Sequence, residues 1–255
     1  MKPLSQTPFT DQFLGTSDWS LEESPMYQEL KENILTPTQN IAVDLIIANY
    51  HEKQVYLFAP KRTEQFNHGR RALPGVLLKV GESTSQAIER IIQTKTPFGL
   101  DQCQLEHYQE LPANTDPGRD PRGHVIAIPI LIIAQVEAPD LTDWVPFLPN
   151  TKLAFDHTLM VNKAFDLIKR NVKNRPLPFL LLQNPSPLSD AKQVIAWFEL
   201  HYEKFTVSNF KARFPIQDFL KESTTKKAHN PMGKPAKVYY VLKDKIKKSP
   251  LEDFI

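Results

Sequence analysis

The sequence predicts an α/β (α+β) protein: a mixed β-sheet sandwiched between helices, followed by a smaller C-terminal module with the outline of a winged helix-turn-helix. Three observations lead there. Between Asn40 and Val172, β-rich apolar runs and amphipathic helices follow the order β, β, α, β, β, α. After Asn174 the order becomes helix, helix, basic loop, strand. Charge divides along the same line, with 14 Lys and Arg against 8 Asp and Glu from residue 174 onward, a net +6 that leaves −4 on the residues before it.

The elements follow in order. Residues 1–38 are polar and punctuated by prolines, and read as an N-terminal extension; Ser20 and Glu23 have capping-box spacing for a short helix limited by Pro25. NIAVDLIIANY and KQVYLFAP are β-rich and flank the polar stretch Tyr50–Lys53, a hairpin arrangement. A loop, KRTEQFNHGRR, leads to a strand entering Leu73-Pro74-Gly75. Ala87, Ile88, Ile91 and Ile92 then recur at helical spacing behind Ser83 as N-cap.

Leu105–Leu111 reads as a strand. Val125–Ala134 (VIAIPILIIA) reads as a buried strand interrupted by Pro129, and Trp144–Leu148 as a short last strand. Leu159–Val172 is an amphipathic helix with Leu159, Val161, Ala164, Phe165, Ile168 and Val172 on one broad face. KNRPLPF (173–179) breaks the pattern and reads as a linker, so the expected domains are 39–173 and 174–255. In the second, helices are expected at Ser189–Tyr202 and Thr206–Phe214, capped by Ser189 and Thr206. Pro215–Lys221 follows, then the polar basic stretch KESTTKKAHNPMGKP and an AKVYYVL strand.

At 255 residues, 41% hydrophobic and 24% charged, the composition is that of a soluble globular protein. No apolar run reaches the ~20 residues of a membrane span, and MKPLSQTPFTDQF lacks an apolar signal core. The single cysteine, Cys103, leaves no disulfide framework and no Cys-based zinc site, and no basic cluster beside it would activate its thiol. These features predict a cytoplasmic protein without a membrane partner. Phe205–Lys248 carries 11 basic and 3 acidic residues, which favours a polyanion partner.

The stretch ALPGVLLKVGESTSQAIERIIQTKTPFGL (72–100) carries the chemical signal. It offers a Pro-Gly turn ending at Gly75, a Gly81-Glu82 pair, and a helix bearing Arg90. It resembles the Nudix box, G-x5-E-x7-R-E-U-x-E-E-x-G-U, with Glu82 on the first glutamate and Arg90 on the arginine. Val76 stands for the first glycine, Ile91 for the glutamate after the arginine, Thr94 and Lys95 for the paired glutamates, and Pro97 for the late glycine.

In that family the helix glutamates hold the divalent cations that neutralise phosphate charge and activate water, and Mg²⁺ demands converging oxygen ligands. An aliphatic residue, a hydroxyl and an ammonium do not supply them. The resemblance therefore implies a retained scaffold, with Glu82 and Arg90 as a structural ion pair, and no cofactor.

Two more stretches are similar to the same family: RDPRGHVIAIPIL (119–131), like a D-P-R-G segment in Nudix proteins that handle ADP-ribose, and LAFDHTLMVNKAFDLIK (153–169), like an F-D-H-opened helix. Together with GKPAKVYYVL, which resembles a wing strand with Lys234 in place of an arginine, they point to Nudix-related transcriptional regulators of the NrtR type.

The implied activity is sensing of a nucleotide-diphosphate metabolite such as ADP-ribose, coupled to operator binding by a homodimer on double-stranded DNA. Asp120 and Arg122 are expected to hold ribose or diphosphate, and Arg62, Arg70 and Arg71 to flank the pocket. Asp156 is expected to cap its helix and His157 to pack against the sheet. Asn209, Lys211 and Arg213 are the expected base- and phosphate-contacting residues, and Lys226, Lys227, His229 and Lys234 the expected backbone-contacting wing. The alternative is a Mg²⁺-dependent Nudix hydrolase that draws carboxylates from Glu82, Glu89, Glu106 or Glu110. A third reading is a silent nucleotide-binding protein whose basic C-terminus meets a protein or RNA.

Overall fold

In the computed structural model, which describes residues 40–64, 67–121, 123–137, 139–228 and 236–247 (backbone alone over 225–228), the run opening at Asn40 becomes β1 (Asn40–His51). The expected helix at Ser20, the extension 1–38, Arg122, His229, Lys234 and the side chains of Lys226 and Lys227 lie outside the described residues. β1 is buried on both faces because its alternate residues serve two helical layers. Val43, Leu45 and Ile47 pack toward one layer, Ile46 and Ala48 toward the other. A turn with Glu52 and Lys53 both at positive φ (47° and 66°) closes the hairpin to β2 (Gln54–Phe58), the geometry that matches strand twist in a two-residue connection.

The remaining strands are β3 (Gly75–Leu77), β4 (Cys103–Glu110), β5 (Val125–Val136) and β6 (Trp144–Pro146). Their order is β4-β5-β1-β2-β6, with β3 also paired to β1. β1 and β5 run parallel and the other pairs antiparallel, so the sheet is mixed. β5 is continuous through Pro129. The Pro129 carbonyl accepts from Leu111 N–H, just past the end of β4, so the missing amide costs the β4 ladder nothing.

Helix α1 (Thr84–Lys95) covers one face, with Ala87, Ile88, Ile91 and Ile92 buried. Ser83 caps it in a full capping box with Gln86. Helix α2 (His157–Asn171) covers the other face through Met160, Val161, Ala164, Phe165 and Ile168. Leu159, expected on that apolar face, is 58% exposed. It lies one position off the buried stripe.

The C-terminal part begins with β7 (Ser186–Pro187), which runs directly into α3 (Leu188–Phe198). Pro187 is therefore the N-cap, and Ser189 sits inside the helix rather than capping it. The helix also stops at Phe198, before a single 3₁₀ turn at Leu200–Tyr202. α4 (Val207–Arg213) is capped by the Thr206 hydroxyl, as expected. Pro215 separates it from α5 (Ile216–Phe219), where its missing N–H falls ahead of the first turn. β8 (Leu220–Ala228) and β9 (Ala236–Val241) form a hairpin that β7 extends to a three-stranded sheet, and α6 (Lys243–Lys247) follows.

The segment read as a linker is not one. Leu177–Leu181 forms a 3₁₀ turn whose five side chains are all buried, in a core shared by β1, β5, α2, α3, α4 and β9. Apolar content explains the difference: RPLPFLLL has too many large apolar groups to remain in solvent. Phe147, Phe165 and Phe198 meet at 5.1–5.9 Å between ring centres, joining sheet, α2 and α3. Trp197 donates its indole N–H to the Phe147 carbonyl at 2.7 Å.

A polar seam completes the junction. An irregularity in β4 between Leu105 and His107 lets the consecutive Glu106 and His107 both serve the C-terminal part. Lys243 and Lys247 of α6 reach the buried Glu106 at 2.5 and 3.4 Å. Arg175 bonds Gln109, the Ile246 carbonyl and the unprotonated Nε2 of His107, whose pKa burial and this guanidinium lower to about 4. No helix among the described residues is long and apolar enough to cross a membrane.

Candidate functional site

A cleft of about 170 Å³ opens where β1, β3, the loop after β2, the end of α1 and the start of α2 converge. A second cleft of about 280 Å³ continues from it, sharing Arg62, Glu64, Leu73, Gly75 and Lys95. Its floor is a buried charge cluster. Asp44 stands in the β1 row that includes Ile46 and Ala48, and is only 6% exposed. Its Oδ2 lies 3.8 Å from the Arg119 guanidinium and its Oδ1 lies 3.8 Å from His157 Nε2. Arg119 donates through Nε and Nη2 to the two carboxylate oxygens of Asp156, at 2.9 and 2.8 Å. Asn114 donates to Asp156 and in turn accepts from Lys163. Burial lowers the Arg119 pKa, but the Asp156 bonds outweigh it and leave it raised; burial raises Asp156, and the Arg119 bonds outweigh that and leave it lowered. Both stay charged.

His157 is neutral. Burial drives its pKa down, and its Nδ1 accepts the Leu73 N–H at 2.9 Å, which places the ring proton on Nε2, toward Asp44. Asp156 sits at the N-cap position of α2 but makes no side-chain cap, because Arg119 and Asn114 take its oxygens. Phe155 lines the cleft with its backbone left-handed (φ 53°), a conformation costing a bulky residue roughly 1–3 kcal/mol, and Arg62 lies 4.9 Å over its ring.

Gly75 is fixed by proximity. A Cβ there would lie 2.1 Å from Asp44 Oδ1 and 2.9 Å from the Val43 carbonyl oxygen. Gly75→Ala is expected to destabilise by about 1–3 kcal/mol, the usual cost of overpacking, and to push Asp44 off the floor. Thermal unfolding checks the first and ligand titration the second.

Of the residues expected at the site, the structure brings Arg62 and Asp120 to the cleft and leaves two arginines out. Arg70 donates to Asn67 and to the Leu153 carbonyl. Arg71 donates to the Ala59 and Thr142 carbonyls. Both hold loops together. Asp44, Arg119 and Phe155 were missing from the expectation. An aspartate inside an otherwise apolar strand run was the available signal for Asp44. Arg119 is the first residue of the run assigned to Asp120 and Arg122.

No protein-family model matches the chain. The crystal structure of Shewanella oneidensis NrtR complexed with a 27mer DNA shares its fold, with 21% identity, 81% of this chain and 95% of that one covered, and a TM-score of 0.66. A MutT/nudix family protein from Enterococcus faecalis superimposes with 21% identity over 86% and 93% of the two chains, at a TM-score of 0.62. An ADP-ribose pyrophosphatase from Methanocaldococcus jannaschii is 34% identical over 140 residues, covering 52% of this chain and 78% of that protein. The chain belongs to the Nudix family.

The Nudix box is folded as a scaffold. Arg90 donates from Nε and Nη2 to the two Glu82 oxygens at 2.7 Å each, and from Nη2 to the Leu77 carbonyl. Lys79 N–H donates to Glu82 as well, and Gly81 turns the loop at φ 80°. The Arg90 bonds, then the Lys79 amide, hold the Glu82 pKa at about 2, against an ordinary 4.5. Because the folded value is lowered, this carboxylate's contribution is complete above pH 4.5 and is lost as pH falls toward 2. Carboxyl-carbon NMR is expected to find Glu82 still ionised at pH 3, and a Glu82 resonance that titrates near 4.5 would refute the pairing.

The Nudix metal positions do not fit a divalent ion. Ile91 is fully buried in the core, the Thr94 hydroxyl donates to the Arg90 carbonyl, and Lys95 lines the cleft. The substitute carboxylates do not line the cleft either. Glu82 is paired with Arg90, Glu89 is exposed on α1, Glu106 is bound to α6, and Glu110 lines a separate surface groove with Lys163. Among the described residues no three His, Cys, Asp or Glu groups converge as a metal site. Cys103 is buried, and burial pushes its thiol up to about 11.

In the C-terminal part, α4 buries Phe210 and exposes Asn209, Lys211 and Arg213. Lys211 bonds the Tyr239 hydroxyl at 3.0 Å and lies 3.4 Å from Glu222, and Lys237 reaches Glu222 at 2.5 Å. Arg213 lies 5.1 Å over the Phe205 ring. The exposed polar face of α4 thus stands beside the β8–β9 hairpin.

Proposed function

We propose that this Nudix protein is a transcriptional regulator: its cleft binds a nucleotide-diphosphate metabolite of the ADP-ribose kind, and residues 174–255 bind operator DNA as a winged helix. One observation carries the reading. The cleft keeps cations suited to phosphate, Arg62 and Lys95 on its walls above buried Arg119, while the metal-binding carboxylates have been replaced by Ile91, Thr94 and Lys95. A site with those cations can hold a diphosphate, and without the box carboxylates it lacks the metal ligands through which the family activates water.

In this reading α4 is the recognition helix. Asn209 and Arg213 would meet base edges, and Lys211 the phosphates. Lys226, Lys227 and Lys234 would supply the wing contacts, and Asp120 with Arg122 the ribose or diphosphate contacts. Two copies would bind as a homodimer on a two-fold site. The buried seam from β4 to α6 would couple the parts, since a ligand that favours one placement of the cleft elements shifts DNA affinity by its differential binding.

Fluorescence anisotropy with duplex DNA from upstream of its own gene tests the reading. Binding should be sequence-selective, should fall linearly in log affinity with log salt, and should change on adding ADP-ribose. Weak, sequence-indifferent binding that ignores ADP-ribose would sink it.

The 34% identity to an ADP-ribose pyrophosphatase favours one second reading, a hydrolase of the same ligand. Incubation with ADP-ribose and Mg²⁺ or Mn²⁺ separates the two. Turnover at an ordinary enzymatic rate, abolished by Glu82→Gln, would establish the hydrolase.

A further inference from the structure

Lys95 is the last residue of α1 and lines both halves of the cleft, with Arg62 lining them beside it. A lysine at a helix C-terminus ordinarily answers the unsatisfied carbonyls there. Here two threonine hydroxyls bond back to carbonyls one turn earlier, and Lys95 bonds none of them. Thr94 Oγ1 donates to the Arg90 carbonyl and Thr96 Oγ1 to the Ile92 carbonyl, each at 2.6 Å. Among the described residues the Lys95 ammonium has no hydrogen-bond or ion-pair partner. Ile91, one turn earlier on the same face, is locked in the core, so the end of α1 is held against the sheet where Lys95 overlooks Gly75.

We propose that Lys95 is a built-in counter-ion for the ligand's diphosphate, so that this cleft binds its ligand without a divalent metal. The inference rests on the reading that the cleft takes a nucleoside-diphosphate compound. Its chemistry is a substitution of charge. A Mg²⁺ ion would need about six oxygen ligands in near-octahedral array. The cleft's three carboxylates face cations instead: Glu64 pairs with Arg62 at 3.2 Å, Asp44 lies 3.8 Å from Arg119, and Asp120 acts electrostatically on Arg119 as well. An ammonium delivers positive charge to phosphate oxygens through three rotatable donors and requires no such array. Replacing a metal-binding carboxylate by lysine therefore does more than remove a metal. It supplies a positive charge at the cleft by other means.

Isothermal titration of the full chain with ADP-ribose, first in EDTA and then in Mg²⁺, tests this. The wild type should bind equally well in both buffers. Lys95→Met should bind roughly 10- to 100-fold more weakly in EDTA, the value of a hydrogen bond to a charged group. Its melting temperature should be unchanged, because Lys95 is exposed at a helix end. Adenosine, which has no phosphate, should lose nothing on the same substitution.

Wild-type binding that appears only with Mg²⁺ would overturn the inference and leave the sensor reading standing, as would a Lys95→Met variant that binds like the wild type in EDTA. Failure of the wild type to bind in either buffer would overturn the sensor reading, and this inference with it.

Discussion

Arg119→Met is expected to lower the unfolding free energy by about 3–5 kcal/mol, because it leaves buried carboxylates without their cation. The Arg119 side chain is 4% exposed, and Asp156 and Asp44 are 13% and 9% exposed. At this chain length the loss corresponds to a fall in melting temperature on the order of 10 °C.

The pH dependence follows from the sign of the shifts. The Asp156 pKa is lowered in the folded state, so the pair's contribution is complete above the ordinary carboxylate range and fades as pH drops below it. The gap between wild type and variant should therefore narrow in acid. Urea titrations of Arg119→Met, Asp156→Asn and the double variant measure the coupling. If the single variants stay within about 0.5 kcal/mol of wild type, as ordinary surface substitutions do, the cluster is solvated and the account of the floor is wrong.

The second large effect is expected at Phe179→Ala, in the segment whose sequence looks like a linker. Phe179 is fully buried and its ring lies 5.6 Å from that of Phe214, at the end of α4. Truncating a buried phenylalanine costs about 3–5 kcal/mol, through lost transfer energy and the cavity left behind. The location makes the result diagnostic. If residues 177–181 weld sheet and helices into one core, the variant melts in a single transition at lower temperature. Two separated transitions, or an unchanged melt, would restore the linker. Deuterium exchange adds a spatial readout: protection should fall in β5 and in α4 alike.

The candidate site was legible in the sequence to different depths. Glu82 and Arg90 were found through the resemblance to the Nudix box, and the structure places them 2.7 Å apart. The replacement of that family's carboxylates was equally legible, since Ile91 and Lys95 cannot act as carboxylates in any fold. The cationic wall was only half legible. Arg62, Arg70 and Arg71 sit in one loop with the same charge, and nothing local tells which of them faces the cleft. The carbonyls that claim Arg70 and Arg71 belong to residues 59, 142 and 153, most of them distant in the chain. Asp156 was read as a cap because short-range rules favour one at that position. Its actual partner, Arg119, lies 37 positions away.

By itself the sequence determined the order of elements from β1 to α2, the capped start of α1 at Ser83 and the family motif with its replaced carboxylates. Those depend on periodicity and side-chain chemistry within a dozen residues. Leu220–Ala228, by contrast, read as part of a polar basic stretch, is the strand β8. Only the tertiary structure decided that residues 177–181 belong to the core, that Glu106 answers to α6 across 137 positions, and that Asp44, Arg119 and Asp156 gather beneath Gly75. The physical reason is range. Helix and strand patterns are written locally, whereas buried ion pairs and the choice of which arginine faces the cleft depend on which distant groups the packed core brings within a few ångströms.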